Sequence, residues 1–577
     1  MDEDRKKLIR DAAATIFRSF EDYNAKFGEI TRRARRHFAE REWKLAQRDA
    51  VERIELYDQR VAGCIAGLVG PMGSAVADQA IWRLVRIEYS KLIADCVDNE
   101  FYKTFFNSLT RKAFNTVGVN AHVEYLLPDL EPTHASLEPP AREFDLDAGL
   151  EPAVVTILEQ IPTGAAFVDF DASARQVVAE VEAYTKQRFG SAIERLEMLP
   201  PVFYRSTRAF AVGRLSGTDW VSPLILALKN TEDGVIVDTV MMADYEVRNL
   251  FGFSRSYFHA DLPAVGAAVQ FLKAMLPHAR VPELYTVLGR AKQGKTERFR
   301  QLNKYLHDAD DQFVHADGEK GMVMIAFTLR DYGLIFKVIR DHFAYPKETT
   351  RADVMDRYQF VFKHDRVGRL VDAQEFRRLE LPRKLFADEL LEELVTSAAE
   401  TCRVEGDALI LEHCYIERRL RPLNLYLNEV DPLAARRAVI DYGQAIKDLA
   451  RTNVFPGDLL IKNFGVTRNG RVIFYDYDEL CLVTDCTFRD LPTARFEEDE
   501  MRAEPWFHVG KNDIFPEQFV NFLGMSKELR DAFLGAHEDV LTADYWRALK
   551  RCHEAEQLLE VIPYVSRSAV PPMEMTA

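Results

Sequence analysis

The sequence predicts an α+β protein in two parts. A mostly helical first part, residues 1–307, carries a small antiparallel sheet; in the second part, 308–577, a β-rich lobe precedes a helical one. Three observations carry this reading: apolar residues recur at three and four between Arg5 and about Phe114, β-branched runs broken by glycine turns follow near residue 200, and after Asp308 strand-like and helix-like stretches are segregated. With 577 residues, and about 100 to 200 residues per domain, the chain has room for two to four domains. Hydrophobic residues at 47% and charged residues at 29%, with 28 Gly and 24 Pro, exclude a disordered or fibrous chain.

The helical stripe begins with Leu8, Ala12, Ile16, Phe17 and Phe20 and continues in Trp82, Leu84, Val85 and Leu92. The basic run Thr31 to Arg36 reads as a solvated helix face, since Glu40 and Glu42 follow it. The longest uncharged stretch, between Arg60 and Asp78, holds Gly67, Gly70, Pro71 and Gly73, which suits a turn between two helices better than a spanning helix. The opening MDEDRKKLIRD is charged where a signal peptide needs an apolar run, so a cytoplasmic chain is expected. Between Pro128 and Pro162, the accumulation of Pro132, Pro139, Pro140 and Pro152 predicts a connecting loop. Val202 to Val247, with turns at Ser216-Gly217 and Asp233-Gly234, predicts the antiparallel sheet, and helices return from Pro263 to about Leu306.

After Asp308 the predicted order is a glycine-containing turn, two strands, helices including Ala352 to Lys363, a strand at Ala408 to Tyr415, a helix at Leu433 to Arg451 and a hairpin turning at Asn469-Gly470. That is the order of a bilobal protein kinase. Against 75 Lys+Arg stand 91 Asp+Glu, a net charge of −16 that repels a nucleic-acid backbone. The seven cysteines (Cys64, Cys96, Cys402, Cys414, Cys481, Cys486, Cys552) show neither zinc-ligand nor disulfide-framework spacing and read as small apolar core residues.

Two nucleotide motifs compete. Gly289 to Thr296 spells GxxxxGK[ST], in which Lys295 would reach phosphate oxygens and Thr296 a magnesium ion. Glu283 to Leu288 is a candidate strand before it, with a helix from Glu297 onward, yet no alternation of buried parallel strands and helices surrounds the string, and the alternative is a helix-capping turn with a solvated lysine. The second constellation is longer. Ala316, Asp317, Gly318, Glu319, Lys320, Gly321 and Met322 form a loop entering a strand, where glycine lets the backbone approach phosphates. Lys337 then sits inside the apolar run Leu334 to Ile339, where an ammonium is costly unless an anion meets it; outward snorkelling is the alternative.

Asp458 and Asn463 repeat the DxxxxN spacing of a kinase catalytic loop, aspartate to accept the hydroxyl proton and asparagine to hold a metal, although Pro456 and Gly457 replace histidine and arginine. Asp476, thirteen residues on, ends an apolar strand, as a metal-chelating acid does. The nearby His364-Asp365-Arg366 fails as a catalytic loop, because Leu370 stands where the asparagine belongs.

At these residues the sequence resembles the bacterial bifunctional isocitrate dehydrogenase kinase/phosphatases. The resemblance runs through His364 to Arg369, Asp372, Gln374 to Phe376, Tyr415 to Arg419, Phe455 to Arg468 and Phe474 to Glu479. In the first half it includes Phe105 to Ser108, Val202 to Arg205, Phe251 to Phe253, Arg255 to Phe258 and Glu283 to Thr286. It implies a regulatory domain over 1–307 and a kinase-like catalytic domain over 308–577. One ATP- and Mg2+- (or Mn2+-) dependent site would phosphorylate a serine of isocitrate dehydrogenase and remove that phosphate, diverting carbon from the tricarboxylic acid cycle into the glyoxylate bypass.

The resemblance also implies Ala316 to Met322 as the nucleotide loop, Lys337 as its phosphate-pairing lysine, Asp372 as a phosphatase acid, AMP as an allosteric effector and a homodimer. Asp372 has an alternative as a helix N-cap, since Ala373, Gln374 and Glu375 follow it. Lys337 lacks an evident partner: the helix 352–363 offers Asp353 and Asp356 but no glutamate. The acidic segment Thr484 to Trp506 is a candidate for docking the protein substrate. A small-molecule phosphotransferase and a non-catalytic adenylate sensor are the rival readings. The large separate first half speaks against the former, and retention of Lys337, Asp458, Asn463 and Asp476 together against the latter.

Overall fold

A computed structural model describes residues 3–126, 141–252, 257–345, 347, 349–364, 367–492, 507–564 and 566. The chain divides into two compact units, one built on residues up to Asp310 together with the segment from Ile562, the other on Asp311–Val561.

The first unit opens with α1 (Glu3–Ala39), α2 (Trp43–Met72), α3 (Gln79–Ile93) and α4 (Asn99–Phe114). The predicted stripe is the buried face of α1: Ile9, Ala12, Ile16, Phe20, Tyr23, Phe27 and Ile30. The glycines near residue 70 do not break α2, which runs through Gly67, Gly70 and Pro71 before a 3-10 turn at Gly73–Ala77. Pro71 lies in the last turn, where the carbonyl that its ring crowds belongs to a helix about to end. The run Trp43–Ala77 is, by length and composition alone, apolar enough to cross a membrane; its Leu56, Tyr57, Val61, Cys64, Leu68 and Met72 are buried in this unit's core.

The expected connecting loop contains β1 (Arg142–Phe144) and α5 (Leu150–Gln160); residues 127–140 lie outside the described residues. Next come α6 (Phe170–Arg188), β2 (Arg195–Met198), β3 (Phe203–Arg205), β4 (Arg208–Ser216), β5 (Val221–Asn230) and β6 (Val235–Met241). These strands form an antiparallel sheet in the order β1-β2-β4-β5-β6, with β3 on β4. Its period-two alternation separates two cores: Phe210, Val212, Ile225 and Ala227 face the helices of α1 to α4, while Ala209, Ala211, Leu224, Leu226 and Leu228 face α5 and α6. Burial on both faces is why these strands read as continuous apolar runs. The sheet ends at Met241, earlier than the predicted Val247, because α7 (Asp244–Phe251) begins there; α8 (Val265–Met275), α9 (Val281–Val287) and α10 (Ala291–Asp308) close the unit.

The second unit starts with β7 (Phe313–His315), β8 (Met324–Leu329), β9 (Leu334–Ile339), α11 (Arg351–His364), β10 (Gln374–Pro382), α12 (Asp388–Ser397), β11 (Cys402–Glu405) and β12 (Ala408–Arg418). They build a second antiparallel sheet, β10-β12-β9-β8-β7, with β11 on β12. A helical lobe follows: β13 (Arg421–Pro422), α13 (Leu423–Glu429), α14 (Pro432–Arg451), the short strands β14 (Val454–Phe455), β15 (Phe464–Val466), β16 (Val472–Phe474), β17 (Cys481–Leu482), β18 (Thr487–Phe488) and β19 (Asp513–Ile514), then α15 (Lys527–His537) and α16 (Ala543–Glu554). The hairpin β15/β16 turns at Asn469-Gly470 as predicted, with Gly470 at positive φ.

Candidate active site

The second unit gathers its acids and one lysine where β9, β12, β14 and β16 converge. Lys337 points inward from β9: its Nζ lies 2.8 Å from Glu417 Oε1, donates to the Tyr475 carbonyl at 2.8 Å and sits 5.1 Å from the Tyr475 ring centre. The partner missing from the sequence argument is therefore Glu417, on a strand rather than on α11. Snorkelling is ruled out, since the two side chains are 9% and 4% exposed. Burial pushes the Glu417 carboxyl up, Lys337 opposes that, and Asp476 and Asp372 add to it. From α11, Arg357 donates to the Asp478 carbonyl, and Tyr358 stacks on Tyr415 at 3.8 Å and meets Tyr477 edge-on at 5.0 Å.

The β14–β17 pairing, Phe455 opposite Cys481, lays the Asp458 loop against the segment that follows Asp476. Gly457, at φ +79°, makes this approach possible: a Cβ there would stand 2.4 Å from the Glu479 carbonyl oxygen. That clearance explains glycine where most kinases carry arginine. Asp458 accepts from the Leu460 amide at 2.9 Å, and its carboxyl is raised by burial and by Glu479 and Asp476. Asn463 is buried, and its carbonyl accepts from Tyr475 N at 3.1 Å, one residue before Asp476.

Asp372 is no helix cap, for the residues after it enter β10. Leu370 bridges to Phe474, Val371 N donates to Phe474 O, and Tyr477 Oη donates to Val371 O at 2.7 Å, so Asp372 is fixed beside β16; that strand stops at Phe474, and Asp476, expected to end it, lies two residues beyond. Pairing of β10 with β12 over its whole length overrides the local capping pattern.

Residues 316–322 do form the loop from β7 to β8, with Gly318 at φ +112°. Ion pairs tie it down: Asp317 to Arg421 at 2.6 Å, Glu319 to Lys462 at 2.7 Å and Lys320 to Glu393 at 3.0 Å, while Arg340 donates to the Gly321 carbonyl. With Asp317 and Glu319 largely exposed, their pairs are worth about 0–1 kcal/mol each. Sequence reasoning also missed Lys347, whose ammonium meets Glu479 and feels Asp478 and Asp476; it sits in a loop with no motif to mark it.

The rival string is structural. Glu283 to Leu288, read as a candidate strand, is instead helix α9 through Val287 with Leu288 as its C-cap, and Lys295 and Thr296 lie inside α10. Gly294 permits the two helices to touch, since a Cβ would come 2.3 Å from Thr286 Oγ1 and 2.5 Å from the Pro282 carbonyl, and Thr296 Oγ1 donates to its own helix at Lys292. Asp365 and Arg366, and residues 493–506 of the acidic segment, lie outside the described residues.

Two family models match this chain: the isocitrate dehydrogenase kinase/phosphatase (AceK) regulatory domain over residues 13–310 and the corresponding kinase domain over 311–566. The chain belongs to the isocitrate dehydrogenase kinase/phosphatase family. It is 45% identical over 553 residues, 95% of either chain, to the protein of that name from Xanthomonas campestris pv. campestris (strain 8004). To those from Anaeromyxobacter sp. (strain Fw109-5) and Anaeromyxobacter dehalogenans (strain 2CP-C) it is 43% and 44% identical, over 96% and 97% of its length and 96% and 98% of theirs.

A kinase/phosphatase family implies ATP and, with it, a divalent metal. The residues fit such an ion. Burial and the neighbouring Asp476 push the Asp478 carboxyl up to about 7, and Asp478 Oδ1 is buried without a hydrogen-bond partner. Two mutually repelling carboxylates suit a hard cation, and the buried Asn463 is tied by its backbone carbonyl to Tyr475, the residue before them. Among the described residues no cluster of three or more His, Cys, Asp or Glu side chains would hold a metal unaided, so phosphate oxygens would have to complete the ligand set.

Proposed function

We propose that the protein phosphorylates and dephosphorylates a serine of isocitrate dehydrogenase at one site in the second unit, with the first unit regulatory. The observation that carries this is the junction of Lys337–Glu417 with Asp458, Asn463 and Asp476 in a chain of this family. Ala316 to Met322 covers the nucleotide. Lys337, held by Glu417, pairs its phosphates, and Asp458 orients the seryl hydroxyl and takes its proton. Asn463 and Asp476, with Asp478, would hold Mg2+ or Mn2+, which when bound neutralises the phosphate oxygens. In the opposite direction Asp372 orients a water, or accepts its proton, for attack on phosphoserine.

AMP as an effector and a homodimer rest on the family resemblance alone, and a cytoplasmic location on the charged opening MDEDRKKLIRD. The test uses purified full-length protein, ATP and isocitrate dehydrogenase, following phosphate incorporation and, from phosphorylated substrate, its release. Asp458→Ala and Asp476→Ala should each abolish incorporation while the protein stays folded, and near-normal transfer by either would overturn the assignment. Asp372→Ala should lose release far more than incorporation; a parallel fall in both rates would remove its dedicated role.

A further inference from the structure

Two of the cysteines read from the sequence as scattered core residues meet beside this site. Cys481 Sγ and Cys486 Sγ lie 3.6 Å apart across the 3-10 turn Val483–Asp485. Cys481 is half-buried and faces Phe455, three residues before Asp458; Glu479, two residues upstream, is the group that Gly457 packs under. Cys486 is fixed from the other side, where Lys550 Nζ donates to its carbonyl at 2.8 Å and the following strand carries Phe488, stacked 5.1 Å from Trp546.

We propose that Cys481 and Cys486 are an oxidation site: a peroxide-class oxidant joins them in a disulfide that disturbs the Asp458 and Asp476 segments, and a dithiol reverses it. The Cys481 sulfur attacks the peroxide; its S–O bond forms as the O–O bond breaks, and the alcohol or water leaves with a proton. Cys486 then attacks that sulfenic sulfur, an S–S bond forms, and the hydroxide leaves as water with the Cys486 proton. Two thiols lose two electrons in all, and the peroxide gains them. Reduction proceeds by two successive thiol–disulfide exchanges.

An S–S bond of about 2.05 Å requires the sulfurs to close by roughly 1.5 Å from their 3.6 Å contact. Because Cys486 is anchored by Lys550, the shift falls on β17 and reaches the Asp458 loop through the Phe455–Cys481 pair. A displacement of about 1 Å near reacting groups costs up to about a hundredfold in rate. This consequence rests on the proposed roles of Asp458 and Asp476.

The probe is hydrogen peroxide on reduced full-length protein, quenched with catalase and iodoacetamide. Trypsin, cutting after Arg471 and Arg489, releases one peptide holding both cysteines. The expected result is that peptide two hydrogens lighter and unalkylated, with phosphate transfer to isocitrate dehydrogenase down at least about tenfold and both changes reversed by dithiothreitol. Cys486→Ser and Cys486→Ala should keep the reduced rate and lose the reversible response. The proposal is overturned if the peptide takes up two alkyl groups after peroxide, if the disulfide forms with the rate unchanged, or if both variants respond like the parent. Reduced protein that transfers no phosphate fails the kinase reading instead, and the peptide mass then decides whether the disulfide forms.

Discussion

Glu417→Gln removes the counterion of Lys337 while keeping its shape. The ammonium is left with the Tyr475 carbonyl at 2.8 Å and the Tyr475 ring, in a place where it is only 9% exposed and has little water to turn to. Taking one partner from such a pair costs about 3–5 kcal/mol. At about 2–4 °C per kcal/mol for a unit of this size, the transition of the second unit in scanning calorimetry should fall by about 6–20 °C. Replacing both groups, Lys337→Met with Glu417→Leu, removes the desolvation cost along with the attraction, so stability should return to within about 1 kcal/mol of the parent or exceed it. Phosphate transfer should not return, because the cation proposed to pair the nucleotide from inside the sheet is gone. Recovery of stability without activity would separate the structural share of Lys337 from its chemical one. A Glu417→Gln protein melting within about 2 °C of the parent, or a double variant transferring phosphate at the parental rate, would refute this reasoning.

Gly294→Ala should destabilise the first unit by about 1–3 kcal/mol through the α9–α10 contact, visible as a lower melting temperature, while Lys295→Met leaves ATP use nearly unchanged; a large loss of ATP use would return the GxxxxGK[ST] string to nucleotide binding. Burial works to raise the Glu393 carboxyl, but hydrogen bonds from Arg340, Lys320 and His315 outweigh it and hold it at about 2 against an ordinary 4.5. Its stabilisation is therefore complete above 4.5 and lost as the pH falls toward 2, so the melting-temperature gap between parent and Glu393→Gln should close over that window; a constant gap contradicts the clasp. Asp478, raised to about 7, holds a proton below that value which a divalent ion must displace, so calorimetric Mg2+ affinity should fall by up to about tenfold per pH unit below 7. Asp478→Asn should flatten that dependence, and an equally steep profile in the variant would assign the proton elsewhere.

What the sequence made legible follows physical periodicity. The stripe of α1 and the apolar runs of β4 and β5 show because burial on one helix face, or on both faces of a sheet, imposes a pattern on consecutive residues. The spacing Asp458, Asn463, Asp476 is equally local: it is the length of one hairpin, β15/β16, flanked by its loop and strand end. What escaped was tertiary. Lys337 lies opposite Tyr415, so Glu417, two residues further along β12, is its diagonal neighbour on the same face, a relation set by register and invisible to a search along α11.

Asp372 shows the same limit from the other side. Its neighbours spell a helix cap, and only the pairing of β10 with β12 makes them a strand. That pairing has a consequence for two opposed reactions at one site. The bridge from Leu370 to Phe474 and the Tyr477–Val371 hydrogen bond hold Asp372 at a fixed distance from the strand that delivers Asp476. Neither contact involves the nucleotide loop or Lys337. As the acid proposed for phosphoserine hydrolysis, Asp372 is therefore held independently of the contacts that hold the loop from Ala316 to Met322. The exposed ion pairs of Asp317 and Glu319 lie on that loop and share no contact with the ones that fix Asp372.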